Sequence, residues 1–407
     1  MIREVKIQNY KSIESLDLEL GRVNVLIGEN GCGKTNILEA IALASAAYSD
    51  KLDNEFLVSR GIRVTEPQLM RSAFEKENID KNINVEILDD TEHLKFTLKH
   101  DNELYSKWCL LDITNHENLS TNKEVQKPIK TTEIQKINSD VEEETLDVLQ
   151  RFVMVIENNI SPEKVHEVFQ KAGMKINIRR IVKISSLLED FLVFFPDNTS
   201  LRIFEEEEQI QPLGIHGEGL FKFLRFLDMK EDKTRFNEIK ERLRLISWFK
   251  DFEIPKDLFE TERKIYITDK YLDRDLKYFD QRSSNEGFLF TLFYLALFVG
   301  EETPKFFAID NIDNALNPKL CWRVVEELIE LAQKYDKQTI LTTHNPAILD
   351  GLDLHDEEQR LFVVYRNKFG RTRARRIFPP KPIGQKKPIR LSEAFLRGYI
   401  GGMPKHF

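Results

Sequence analysis

The sequence is poor in the features of disulfide-rich, strongly basic or membrane-spanning proteins. Its 407 residues include only 3 cysteines, Cys32, Cys109 and Cys321. Their spacing fits neither a metal site nor an even-numbered disulfide framework, so we expect a reducing, cytoplasmic environment. The formal charge of -8 excludes a uniformly basic coat for nucleic acid, although a local basic patch stays possible.

Long hydrophobic runs are also absent. The most apolar stretch, residues 287–300, spans 14 residues, which is too few to cross a bilayer and predicts a buried helix. Residues 1–20 carry charges throughout, so we expect no signal peptide and no membrane partner.

No internal repeat, sustained heptad pattern or nuclease motif is present. We find no His-Asn-His motif and no grouped carboxylates in a second domain, so the chain is expected to lack an effector activity of its own. The apolar fraction of 41% is enough for a sizeable core, and the length favours one large domain with an insertion or two domains.

The two ends of the chain show an α/β order. Residues 23–28 form an apolar run that ends in Gly, and a Gly-rich turn and a helical pattern follow. The last third predicts a buried helix, a strand ending at Asp310, an amphipathic helix, a strand before His344 and a hairpin over 360–378. The middle predicts two strands within 82–100, a polar loop over 115–140, and helices over 161–173, 216–229 and 233–248.

The segment GENGCGKT, residues 28–35, has the spacing of a P-loop between a strand and a helix. Glycines let backbone N–H groups face a phosphate, Lys34 can reach the β- and γ-phosphates, and the Thr35 hydroxyl can bind Mg²⁺. We therefore predict ATP and Mg²⁺ as cofactors. The predicted phosphate-binding residues are Gly28, Glu29, Asn30, Gly31, Cys32, Gly33, Lys34, Thr35 and Asn36.

Two strand ends supply the predicted second half of this site. Asp310 follows the apolar strand FFAI, where a carboxylate can hold Mg²⁺ together with Thr35. His344 follows the strand TILTT, where a side chain can sense the γ-phosphate and stabilise its charge.

Asn311 stands where a carboxylate is expected to polarise the attacking water. Asn can orient water but cannot accept its proton. Because positioning and electrostatics dominate phosphoryl transfer, three alternatives stay open: Asp313 substitutes for the carboxylate, hydrolysis is slow, or ATP is purely structural.

These motifs together resemble the ABC-type ATPases of the SMC, RecF and OLD-like group, close to small AAA family ATPases of bacterial anti-phage defence operons. The resemblance rests on the opening IREVKIQNYKSIESLDLEL, the loop GENGCGKTN, the segment FFAIDNIDNALNP and the switch TTHNP. It implies an α/β P-loop head with a mixed sheet and a mainly helical insertion. The implied parts are a split head at 1–75 and 275–380, an insertion or lid at 76–274, and a tail at 381–407.

The resemblance also implies a homodimer or higher oligomer that sandwiches ATP. In such a dimer Ser284 and Gly287 of SSNEG would contact the nucleotide held by the other chain, and Asp310, Asn311, Asp313 and His344 would form the catalytic set. It further implies a separately encoded effector, a nuclease or toxin. Gln68 is a weak candidate for the glutamine that relatives use near the metal, and His216 is more readily structural.

Three functions remain open on the sequence. The first is a slow ATPase that acts as a dimeric switch for the effector, and the second is an ATP-clamped scaffold without turnover. The third is a DNA-repair type ATPase, for which the Arg- and Lys-rich residues 366–390 could contact phosphates, although a solvated hairpin face is the simpler interpretation.

Overall fold

The computed structural model describes residues 1–90, 92–103, 106–115, 187–204, 210–255, 264–273, 275–379 and 389–402. A six-stranded sheet lies at its centre. In order across the sheet, its strands are β13 (Thr372–Ile377), β12 (Gln359–Arg366), β3 (Val23–Ile27), β11 (Gln338–Thr343), β10 (Phe306–Ile309) and β7 (Val193–Phe194).

This central sheet is mixed, as the sequence predicts. Strands β12, β3, β11, β10 and β7 pair in parallel, and β13 pairs antiparallel to β12. Every residue of β3, β10 and β11 is buried, which explains the nearly continuous apolar sequences of β3 and β10. Strand β11 also buries polar side chains, among them Gln338 and Thr342, which hydrogen bond to neighbouring elements. Because these three strands run in parallel, their carboxyl ends meet at one edge, where the predicted site residues follow.

A second sheet contains the N-terminal strands and is antiparallel throughout. Its strands alternate between buried and partly exposed residues, as expected when one face covers a core. In order, they are β2 (Ile13–Glu19), β1 (Ile2–Tyr10), β4 (Ile83–Asp89), β5 (His93–Lys99) and β6 (Cys109–Asn115).

The central sheet separates two hydrophobic cores. On β10, Phe306 and Ala308 face the core shared with the second sheet and helix α1 (Lys34–Tyr48). Phe307 and Ile309 face the opposite core, which contains two long helices. The site edge is therefore held by packing on both faces.

The remaining elements surround these layers. The helix predicted over 216–229 begins at Leu220, because Gly217 has φ +96°, outside helical geometry. The helix predicted over 233–248 ends at Arg242, after which the chain forms a short 3₁₀ turn and a strand. These elements are α2 (Asn54–Ser59), α3 (Pro67–Met70), α4 (Leu220–Met229), α5 (Thr234–Arg242), β8 (Phe249–Glu253), β9 (Tyr266–Asp269), α6 (Glu286–Val299), α7 (Pro318–Lys334) and α8 (Leu391–Leu396).

Helix α6 is the predicted buried apolar helix, and its 14 residues extend about 21 Å. Of the helices in the described ranges, none combines the length and hydrophobicity that a bilayer crossing requires.

The predicted division of the chain stays a prediction. Strands β4 to β6 belong to the same sheet as β1, and β7 pairs with β10, so parts of the predicted insertion hydrogen bond with the predicted head. The helix predicted over 161–173 lies outside the described residues, as does the loop predicted over 115–140 beyond Asn115.

Candidate nucleotide-binding site

The P-loop connects β3 to α1 and needs glycine for steric reasons. Gly31 and Gly33 have φ of +74° and +105°. A Cβ on Gly33 would lie 2.1 Å from Thr372 Oγ1, and one on Gly28 would lie 2.1 Å from the Val364 carbonyl oxygen. The loop therefore passes too close to the C-terminal strands for any larger residue at these two positions.

Lys34 opens α1 and is only 5% exposed. Its Nζ donates to the carbonyl oxygens of Gly28, at 2.9 Å, and Glu29, at 3.2 Å, and lies 3.4 Å from His344 Nδ1. Burial lowers the pKa of Lys34, and nearby groups led by Cys32 and Asp310 oppose this shift. The hydrogen-bond acceptors of the ammonium are neutral, so a phosphate oxygen would be a better partner.

Thr35 and Asp310 lie together at the adjacent edge. Thr35 Oγ1 donates to Asp310 Oδ2 at 2.9 Å, and the Thr342 hydroxyl donates to Asp310 Oδ1. Asp310 is 6% exposed. Mg²⁺ prefers oxygen ligands and commonly uses only one or two protein groups besides water and substrate phosphates, so this hydroxyl–carboxylate pair fits it. No group of three or more His, Cys, Asp or Glu suited to a metal occurs among the residues described.

Asn311 has a backbone reason to be asparagine. Its φ is +56°, a left-handed conformation that Asn adopts more readily than most residues. Its N–H donates to Thr342 Oγ1 at 2.8 Å. The same Thr342 hydroxyl donates to Asp310, so Asn311 helps to fix the carboxylate beside the P-loop.

Asp313 lies beside the end of β11, close to the switch residue His344. Asp313 Oδ1 accepts a hydrogen bond from Thr343 Oγ1 at 2.7 Å and one from the His344 N–H at 3.3 Å. The charge of Asp313 also acts on the pKa of Lys34. The structure thus brings Asp313, His344 and Lys34 to the same edge.

The surroundings of His344 favour the neutral form of its ring. Partial desolvation of its ring, and then the positive charge of Lys34, lower its pKa below the ordinary value. A neutral imidazole can accept a hydrogen bond through Nδ1, the atom that lies 3.4 Å from Lys34 Nζ.

The predicted signature residues are not brought to the P-loop by the contacts within this chain. Asn285, rather than Ser284, caps α6 by accepting a hydrogen bond from Phe288 N. Ser284 is buried and its hydroxyl donates to the Asn285 carbonyl oxygen. Gly287 packs near the carbonyl of Ala315, in the turn that follows Asp313. Their roles stay predictions, which concern a second subunit.

The two weaker candidates lie away from these contacts. Gln68 is exposed on the short helix α3. A ring nitrogen of His216 lies 3.0 Å from the Phe195 carbonyl oxygen, which fits a structural histidine.

Sequence reasoning missed a buried carboxylate on the P-loop helix itself. Glu39 on α1 is fully buried and accepts hydrogen bonds from Lys11 Nζ and Arg63 Nε, both at 2.6 Å. Arg63 also donates to Asn36 Oδ1 at 2.9 Å. A charged residue in an otherwise apolar helix, together with the Lys11–Ser12 pair of the opening segment, was the available signal.

A cavity of about 440 Å³ adjoins this network, and its lining is basic. None of the described residues that line it carries a carboxylate. The lining residues are Lys11, Ser12, Asn36, Arg63, Thr65, Leu69, Arg71, Ala73, Phe74 and Arg366. Asn36 directly follows the P-loop threonine, so the cavity adjoins the loop, and two of its cations, Lys11 and Arg63, are already paired with Glu39.

Comparisons with known proteins agree with this geometry. The family described as "AAA domain" matches residues 4–248, and the family described as "AAA domain, putative AbiEii toxin, Type IV TA system" matches residues 176–350. A solved SMC head bound to the C-terminal winged-helix domain of ScpA aligns over 93% of this chain and 97% of its own, with a TM-score of 0.53 and 14% identity. That likeness shows the fold.

Curated relatives match over a short segment. The DNA replication and repair proteins RecF of Bacillus thuringiensis (strain Al Hakam) and Bacillus cereus (strain B4264) are each 44% identical over 55 residues, 13% of this chain. The chain spans about 15% of the length of these relatives. Because the AAA domain model matches more than half of the chain, the chain belongs to the AAA domain family, and its fold is that of SMC heads.

Proposed function

We propose that the chain binds Mg-ATP in the P-loop and hydrolyses it slowly, as the head of a dimeric switch. The observation that carries this proposal is the cluster of Lys34, Thr35 and Asp310 at one sheet edge, with Thr35 Oγ1 2.9 Å from Asp310 Oδ2. The hydroxyl and the carboxylate would hold Mg²⁺, which, when bound, neutralises charge on the phosphates. Lys34 would exchange its carbonyl acceptors for phosphate oxygens.

We assign the water-activating role to Asp313. Its Oδ1 is held by the Thr343 hydroxyl and the His344 N–H, which fixes the carboxylate beside the switch residue. Oδ2 has no hydrogen-bond partner in the described parts of the chain and can accept a proton. Asn311 contributes its backbone N–H to the Thr342 bridge, so it needs no role as a base. Turnover is expected to be slow because this carboxylate stands at position 313 and not at position 311, directly after Asp310, where such ATPases place it.

The switch would act through a homodimer. Ser284 and Gly287 would complete the nucleotide site of a second copy, as the resemblance to SMC-type heads implies. The separately encoded effector, a nuclease or toxin in anti-phage defence, is supported only by the resemblance of the sequence motifs to defence ATPases.

A DNA-repair role is the second candidate, and the 55-residue matches to RecF proteins favour it. Ion pairs within the chain weigh against the Arg- and Lys-rich residues 366–390 as the DNA contact. On β13, Arg373 pairs with Glu14 and Arg376 pairs with Glu19 and Glu357, so much of the positive charge is neutralised within the chain. A repair ATPase would show DNA affinity whose logarithm falls steeply with the logarithm of salt concentration, whereas a switch without DNA contacts would not.

Phosphate release from Mg-ATP tests the proposal. Wild type should turn over slowly, and Lys34→Ala should lower ATP affinity and turnover by at least about 100-fold, because a charge-assisted contact to phosphate is lost. Lys250→Ala, at an exposed position on β8, is the matched control and should behave like wild type.

If wild type binds ATP but releases no phosphate, the ATP-clamped scaffold without turnover is the better function. Light scattering of the ATP-bound protein should then decide whether a dimer forms. A wild type that binds no ATP would contradict both versions.

A further inference from the structure

Two residues of the C-terminal hairpin, formed by β12 and β13, hydrogen bond to the P-loop backbone. Thr372 Oγ1 donates to the Cys32 carbonyl oxygen at 2.8 Å. Arg366 Nε donates to the Gly31 carbonyl oxygen at 2.7 Å. Neither residue belongs to the P-loop motif, and the carbonyls they hold belong to consecutive residues of the loop.

A hydrogen bond that fixes the carbonyl of one P-loop residue also fixes the direction of the N–H of the following residue. In a trans peptide, the C=O of one residue and the N–H of the following residue point in opposite directions. The bond from Thr372 therefore turns the Gly33 N–H away from the hairpin, and the bond from Arg366 does the same for Cys32. The Cys32 N–H is indeed directed at the Glu29 carbonyl oxygen, at 3.4 Å within the loop.

The direction of the Thr372 bond follows from proton counting. A hydroxyl has one hydrogen, and Thr372 uses it on Cys32, so Thr372 accepts the 2.7 Å hydrogen bond from Ser12 Oγ. Ser12 in turn accepts from Asn36 Nδ2 at 2.6 Å. The chain of bonds thus starts at Asn36, just after the P-loop, and ends at Cys32 inside it.

Packing leaves this arrangement little freedom. Thr372 is fully buried, and the Gly33 backbone approaches it so closely that a Cβ there would overlap its hydroxyl. A rotation of the Cys32–Gly33 peptide would break the bond to Thr372 and leave a buried hydroxyl without its acceptor.

We propose that Thr372 is a positioning residue for the bound phosphates, and that Arg366 assists it at the preceding peptide. The hairpin then forms one wall of the phosphate site and orients the Gly33 N–H before nucleotide arrives, while the Cys32 N–H stays bonded within the loop. This inference rests on the proposed nucleotide binding at the P-loop.

The test measures the dissociation constant of a fluorescent ATP analogue with Mg²⁺, together with the melting temperature of each nucleotide-free variant. Thr372→Val keeps the shape and removes the hydroxyl, and it should weaken binding about tenfold, the value of one buried hydrogen bond of about 1.4 kcal/mol. Thr372→Ser keeps the hydroxyl and should bind like wild type, within less than about twofold.

Thr97→Val is the matched control. Thr97 Oγ1 donates to Asn84 Oδ1 at 3.1 Å in the antiparallel sheet, so this variant loses a similar side-chain bond away from the P-loop and should bind nucleotide like wild type. Arg366→Gln changes an exposed residue and provides the second variant if Thr372→Val fails to fold; it should weaken binding about threefold.

The inference is overturned if Thr372→Val binds nucleotide as tightly as wild type, whatever its melting temperature, while Lys34→Ala stays defective. If Thr372→Val does not fold, wild-type affinity in Arg366→Gln overturns it. If wild type itself binds no nucleotide, the proposed function fails and this inference fails with it.

Discussion

The P-loop and the loop that follows β10 lie side by side but are built in different ways. Between Gly28 and Gly33 the P-loop is shaped by its backbone, through positive φ angles and through contacts too close for a Cβ. The loop after β10 is held by its side chains, which hydrogen bond to residues of β11: Asp310 accepts from Thr342 and Asp313 accepts from Thr343.

The difference shows why the shape of the P-loop can be predicted from the sequence, whereas the side-chain contacts of the loop after β10 cannot. A backbone site needs glycines at fixed spacing, which a motif records. A side-chain site depends on the register of the neighbouring strand, in which Ile309 pairs with Leu341. This register places Asp310 and Asp313 opposite different threonines, so the two carboxylates have different surroundings and different expected roles.

The largest effect on the side-chain loop is expected from Asp310→Asn. The substitution removes the charge that would hold Mg²⁺ while keeping the shape, and turnover should fall by at least about 100-fold because charge stabilisation at the phosphates is lost. Phosphate release measured over a Mg²⁺ titration checks this. Asp101→Asn, at an exposed position outside helices and strands, serves as the control. An unchanged Mg²⁺ dependence in Asp310→Asn would contradict the assignment.

A smaller effect is expected from Asp313→Asn. Asn can still accept the hydrogen bonds from Thr343 and His344 but cannot take a proton, so kcat should fall between about 10-fold and 100-fold with little change in KM.

Asn311→Gly is the matched comparison for Asp313→Asn. Glycine adopts the φ of +56° and keeps the N–H to Thr342, so turnover should remain near that of wild type. If turnover instead falls in Asn311→Gly and not in Asp313→Asn, the water-positioning role belongs to Asn311.

The smallest effect concerns the pH dependence of stability. The lowered pKa of His344 means that the unfolded chain binds a proton here before the folded chain does as the pH falls. Stability should therefore decrease below about pH 6.5, the ordinary histidine pKa. The melting temperature should drop more between pH 7.5 and pH 5.5 in wild type than in His344→Asn, and equal drops would rule out this contribution.

Much of the fold was predictable because its signals are local. The apolar runs of β3 and β10 and the apolar helix α6 were confirmed, since full burial favours such sequences, and the predicted strand β11 was confirmed as well. The helix predicted to start at residue 216 was wrong at its beginning, where Gly217 has a positive φ and its backbone lies so close to Leu201 that a Cβ would overlap it.

The sequence by itself determined the P-loop, the strand ends at Asp310 and His344, and the membership of the chain in a P-loop ATPase group. Only the tertiary structure decided that Thr35 meets Asp310, that Asp313 lies beside His344, and that Thr372 closes on Cys32 from 340 residues away. The physical reason is distance along the chain: a turn is specified by neighbouring residues, whereas these hydrogen bonds exist only after both sheets and both cores have formed.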